Sequence, residues 1–87
     1  MTDDDDDYDK EGYFSDISNK YISIKKSKSG SATKYYFDDE DYENVKFYVD
    51  GSSKTFSKFK SAVDENDEIG LILNKDDEVT KVYLLED

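Results

Sequence analysis

The sequence contains no cysteine and no histidine. Disulfide frameworks, thiolate zinc sites, haem attachment and every mechanism that needs a thiolate or an imidazole are therefore excluded. Arginine is also absent, so all twelve cations are Lys and the chain has no planar fork for bidentate grip on carboxylates or phosphates. Proline, Gln and Trp are missing as well, while Lys, Asn, Ile, Tyr and Asp abound. That usage points to A- and T-rich codons, as in an AT-rich microbe or phage. No apolar run approaches the roughly 18–20 residues of a spanning helix, and the Asp-rich N-terminus is unlike a secretory signal. The expectation is a soluble, cytoplasmic protein of a microbe or phage-infected host cell, with no membrane partner.

What is present is charge and aromatic rings. Of 87 residues, 40% are charged and 34% apolar, which sits near the polar limit for folding; eight Tyr and five Phe supply a core that aliphatics alone would not. One small domain is expected, hiding about 60–65% of its unfolded surface.

Residues 1–12, with the unbroken run Asp3 to Asp7, read as a disordered acidic tail, and 13–87 as a single small β domain. Tyr13 to Ser27 reads as one long bent strand. The small-residue turn Ser27 to Ala32 leads into a second strand, Thr33 to Phe37, with Tyr35 and Phe37 on one face and Tyr36 on the other. Val45, Phe47 and Val49 alternate with Lys46 and Tyr48 up to Asp50-Gly51, which marks the expected central strand. Gly51 to Lys54 reads as a turn. Phe56, Phe59 and Val63 then fall at helical spacing, against a rival reading in which the Asp-Gly turn leads to a paired strand. Ile69 to Asn74 and Val79 to Leu85 complete a hairpin. The order β-β-β-α-β-β makes the expected fold mostly β: a small five-stranded OB-like barrel, or an antiparallel sheet, with one short helix.

Charge is segregated along this order. Residues 1–16 carry −7 and 17–37 carry +5; residues 38–50, 51–63 and 64–87 follow with −5, +3 and −7, for a net −11. Two functional expectations follow. In the first, a non-catalytic acidic protein docks on a basic partner, such as a nucleic-acid-binding protein, as a nucleic-acid mimic or inhibitor. Its contact residues would be Asp38, Asp39, Glu40, Asp41 and Glu43, with Asp64, Glu65, Asp67 and Glu68 as a second patch. In size, charge and usage, though in no motif, the chain is similar to small acidic phage proteins that inhibit host nucleases or CRISPR effectors.

In the alternative, Lys20, Tyr21, Lys25, Lys26, Lys28, Lys34, Tyr35 and Tyr36 form a Lys/Tyr hairpin face for single-stranded nucleic acid: ammonium groups follow phosphates and rings stack bases. The bland reading of the same residues is hairpin packing with lysines protecting a strand edge. No cofactor, metal site or catalytic residue is expected. Neither acidic cluster keeps the calcium-loop register; the sixth and twelfth positions from Asp64 are Ile69 and Lys75. Paired-carboxylate catalysis needs an opposed, desolvated pair, and these acids lie in polar runs.

Overall fold

A computed structural model describes residues 8–85. Seven strands and one helix follow in the order β1 (Lys10–Ile17), β2 (Tyr21–Lys25), β3 (Ala32–Tyr36), β4 (Lys46–Val49), β5 (Ser52–Lys54), α1 (Phe56–Ala62), β6 (Glu68–Leu73) and β7 (Val79–Leu85). They form one sheet, ordered β3-β2-β1-β6-β7-β4-β5, antiparallel except where β4 runs parallel to β7. The fold is thus mostly β with a single short helix, as the sequence pattern requires.

Seven strands replace five for two local reasons. The stretch 13–27 is not one bent strand but two, because Ser18 turns the chain: its Oγ accepts from the N–H groups of Lys20 and Tyr21 at 3.1 and 3.3 Å. The segment after Val49 satisfies both rival readings in part. Asp50 and Gly51 take φ of 54° and 85°, the geometry of a tight hairpin turn, and place β5 beside β4; the helix follows only afterwards. Of the expected acidic tail over 1–12, residues 1–7 lie outside the described residues, whereas Lys10 to Gly12 already pair with β6.

The centre of the sheet is β6, not the Val45–Val49 stretch. β4 lies next to the edge, and its clean alternation reports one buried and one wetter face rather than centrality. β6 instead carries the apolar run Ile69-Gly70-Leu71, buried between β1 and β7. Two bulges shift the pattern of its neighbours. Ser15 is an extra residue in β1, and Thr80 in β7. Phe14 and Ile17 therefore both reach the core three residues apart, as do Val79 and Val82.

The sheet curls. β3 and β7 are four places apart in it, yet Phe37, directly after β3, bridges Val79 in parallel. It uses the edge of β7 that β4 occupies from Lys81 onwards, so the result is a partly open barrel around the core. Phe47 is the hub inside, with ring centroids of Phe37, Phe56 and Phe59 at 5.9, 5.4 and 5.2 Å. Helix α1 covers this interior with Phe59, which is fully buried.

A seven-residue helix has little stability of its own, and Thr55 caps it, Oγ1 accepting from the Lys58 N–H at 3.2 Å. Thr55→Ala is expected to lower unfolding free energy by about 1 kcal/mol. Urea denaturation checks this; an unchanged midpoint would show the cap to be redundant.

Candidate nucleic-acid interface

Alternation gives the curled sheet an inner face, holding the core, and an outer one. On the outer face of the β2–β3 hairpin, Tyr21 lies opposite Tyr36 and Ser23 opposite Lys34, with Lys25 opposite Ala32. The rings of Tyr21 and Tyr36 meet edge to face at 5.7 Å, and the Lys34 ammonium sits 4.6 Å from the Tyr21 centroid. Tyr36 is 44% exposed, the one exposed large hydrophobic side chain among the described residues. On β1, Tyr13 lies opposite Lys25 and extends the same face, with Lys28 over its ring at 5.5 Å. Tyr13 was missing from the sequence-derived face; the bulge at Ser15 hides its phase relative to β2.

The eight expected face residues therefore divide. Tyr21, Lys34 and Tyr36 are brought together at one end of β2, while Lys28 lies over Tyr13 at the other end of the strand. Tyr35 is a correction: it lies opposite Ile22 and packs against the core, because neighbours in a strand point to opposite faces. Lys25 is a brace rather than a free cation. It is buried, donates from Nζ to the Lys28 carbonyl at 3.1 Å, and lies 3.7 Å from the Glu65 carboxylate. Lys20 and Lys26 flank β2 at its two ends, exposed.

The acidic residues do not form one surface. Asp38 to Asn44 makes two single turns of 3-10 helix between β3 and β4, tied to the start of β2 by the Tyr42 N–H donating to the Asn19 carbonyl. Within it Asp41 accepts from the Glu43 N–H at 2.9 Å, while Asp39, Glu40 and Glu43 are exposed. The second group sits at the other end of β2, where Glu65 meets Lys25. There Asp67 Oδ2 accepts from the Asp64 N–H at 2.8 Å, and the Asp67 carbonyl accepts from Phe14 N–H; Asp64, Glu65 and Glu68 are exposed. The five residues of β2 hold the groups about 13 Å apart along the strand.

Among the described residues no three acids converge as a metal-holding group, and no helix is long and apolar enough to cross a membrane. No family model, curated protein or solved structure matches this chain. Two further observations bear on what the face can hold. A cavity of about 230 Å³ between β1 and β6, lined by Glu11, Tyr13, Lys26 and Glu68, is smaller than usual small-molecule sites. Residues 8–85 hold sixteen acids and twelve Lys, a net −4; the other −7 of the −11 comes from Asp3 to Asp7, Glu86 and Asp87.

Proposed function

We propose that this chain is a non-catalytic binding domain that takes single-stranded nucleic acid on the outer face of β2–β3, in the cytoplasm. The observation that carries this reading is the Tyr36–Tyr21–Lys34 group: one ring open to solvent, a second set edge-on to it, and an ammonium beside them. Bases stack on such rings whatever their identity, and lysines follow the backbone. A single exposed Tyr is ordinary on any surface. Here it stands in the stretch 17–37, which has five Lys and no acid, on the strands that bind oligonucleotides in OB-like barrels. The chain's net −11 opposes a polyanion at long range, but fields beyond about 10 Å are screened at 0.1 M salt, which leaves the contact itself to the Lys-rich stretch 17–37.

The test is fluorescence anisotropy with a labelled oligo-dT at low salt. Tyr36→Ala is expected to raise Kd about tenfold with the fold intact by circular dichroism, and Lys34→Ala to flatten the salt dependence by about 0.7 in log–log slope. No binding by the native chain, or the same Kd for Tyr36→Ala, sinks the proposal. The acidic-docking reading draws support from the ordered, exposed Asp39, Glu40 and Glu43. Reversing these three to Lys separates the readings: nucleic-acid binding persists or tightens, whereas capture of a basic protein partner is lost.

A further inference from the structure

On the outer face, away from Tyr36, strand register aligns a row of residues straight across four strands. Gly70 on β6 lies opposite Tyr83 on β7, Tyr83 opposite Tyr48 on β4, and Tyr48 opposite Ser53 on β5. Tyr8 lies over Gly70, where a Cβ would come within 2.7 Å of its ring, and meets Tyr83 edge-on at 5.1 Å. Tyr83 and Tyr48 stack at 4.7 Å with 11° between their planes. The row therefore reads ring, ring, ring and then Ser.

The stack has a direction. Its centroid spacing matches the distance between neighbouring strands, about 4.8 Å, so the rings are piled along the line that crosses the strands. The second face of Tyr48 looks towards β5, where Ser53 is exposed and too short to cover it. Two residues away on the same outer face, Lys46 and Lys81 lie directly opposite each other. Like charges so placed repel, and among the described residues neither has a carboxylate within ion-pair distance. An anionic group between them would remove the repulsion. The offset between the Lys pair and the Tyr pair is about 6–7 Å along the strand, comparable to the span from a base to its own phosphate.

We infer that the outer face holds a second nucleotide place, with a base stacked on Tyr48 above Ser53 and its phosphate between Lys46 and Lys81. This rests on the reading of β2–β3 as a single-strand platform, and extends it along the β7 edge of the curled sheet. Because Phe37 bridges Val79 on the edge of β7 where Tyr48 lies opposite Tyr83, Tyr36 and Tyr48 stand about five residues apart along that edge, roughly 16 Å. Four stacked bases cover only about 14 Å, so a tetramer occupies one place and a dodecamer reaches both.

The experiment compares dT4 and dT12 binding by anisotropy across a salt series, for the native chain and two variants. Lys46→Ala/Lys81→Ala removes the cations and relieves their repulsion. Ser53→Trp fills the vacant place with the protein's own ring at an exposed strand position. For dT12 both variants are expected to raise Kd about tenfold, and the double Lys variant to flatten the log–log salt slope by about 1.4; for dT4 neither Kd changes. Native dT12 affinity and slope in both variants, with Tyr36→Ala still impaired, overturns the second place alone. Failure of the native chain to bind either oligomer overturns the β2–β3 platform and the second place together.

Discussion

Phe37→Ala is expected to lower the unfolding free energy by about 3–5 kcal/mol. Domains of this length hold roughly 4–13 kcal/mol in all, so the variant should be largely unfolded at modest urea. Three contributions converge on the ring. Phe37 is fully buried, so truncation leaves a cavity as well as losing transfer free energy. Its ring packs edge to face on Phe47, the hub that also touches Phe56 and Phe59. Its backbone bridges Val79 and thereby joins the β3 edge to β7, so loosening it opens the curl as well as the core. The adjacent Tyr36→Ala supplies the control: with 44% of its surface exposed and only a rim contact to Tyr21, it should cost under about 1 kcal/mol. Urea melts followed by circular dichroism compare the two. A Phe37→Ala loss no larger than that of Tyr36→Ala would mean that the parallel bridge does not close the sheet.

The contrast between neighbouring residues 36 and 37 also shows what the sequence could and could not reveal. Alternation told that Tyr35 and Phe37 share one face and Tyr36 the other. It did not tell which face was wet, because both carry aromatic rings, and Tyr35 was grouped with the binding residues although it packs inward. α1, β3 and β4 were legible because each keeps one period, β6 because it is a compact apolar run, and β7 because alternation resumes from Val82 after the bulge at Thr80. β1 was obscured because its bulge at Ser15 sets Phe14 and Ile17 three residues apart, a spacing that breaks the alternation of a strand and imitates a helix. β5 has no pattern to read: Ser52, Ser53 and Lys54 are all exposed, and only the Asp-Gly turn places them against β4.

The acidic clusters were legible as charge and illegible as structure. Asp41 and Asp67 spend a carboxylate oxygen on a nearby N–H group, the local bond that makes Asp a turn former, so they shape loops before any partner arrives. The bracing of Lys25 by Glu65 joins residues forty positions apart, which no short-range pattern could signal. Mostly exposed on its Glu side, that pair is screened and adds little stability; its consequence is positional, since it fixes the end of β2 opposite Tyr21.

Gly12→Ala is the second large effect expected, a net loss of about 1–2 kcal/mol. Gly12 lies in β1, paired with Ile69 of the central strand, and the adjacent residue Tyr13 pairs with Lys25 of β2. A Cβ there would stand 2.5 Å from the Lys25 carbonyl oxygen and 3.2 Å from Ile24 Cδ1. The first of these is backbone in a strand hydrogen-bonded on both sides, so it yields only by shifting β2 against β1, and overpacking of this kind costs about 1–3 kcal/mol. The opposing gain, fewer unfolded conformations for Ala, is about 0.4–1 kcal/mol and does not win. Gly70→Ala tests the reasoning from the other side. Its Cβ would meet the Tyr8 ring at 2.7 Å, nearly as close, but that neighbour is a side chain, which yields by rotating about χ1 where the backbone of β2 cannot. Gly70→Ala should therefore cost the fold less than Gly12→Ala while displacing Tyr8 from Tyr83, which near-ultraviolet circular dichroism of the tyrosines would register. Equal losses of stability would mean that buried Gly70 has no more room than Gly12, and that Tyr8 is held as firmly as the backbone of β2.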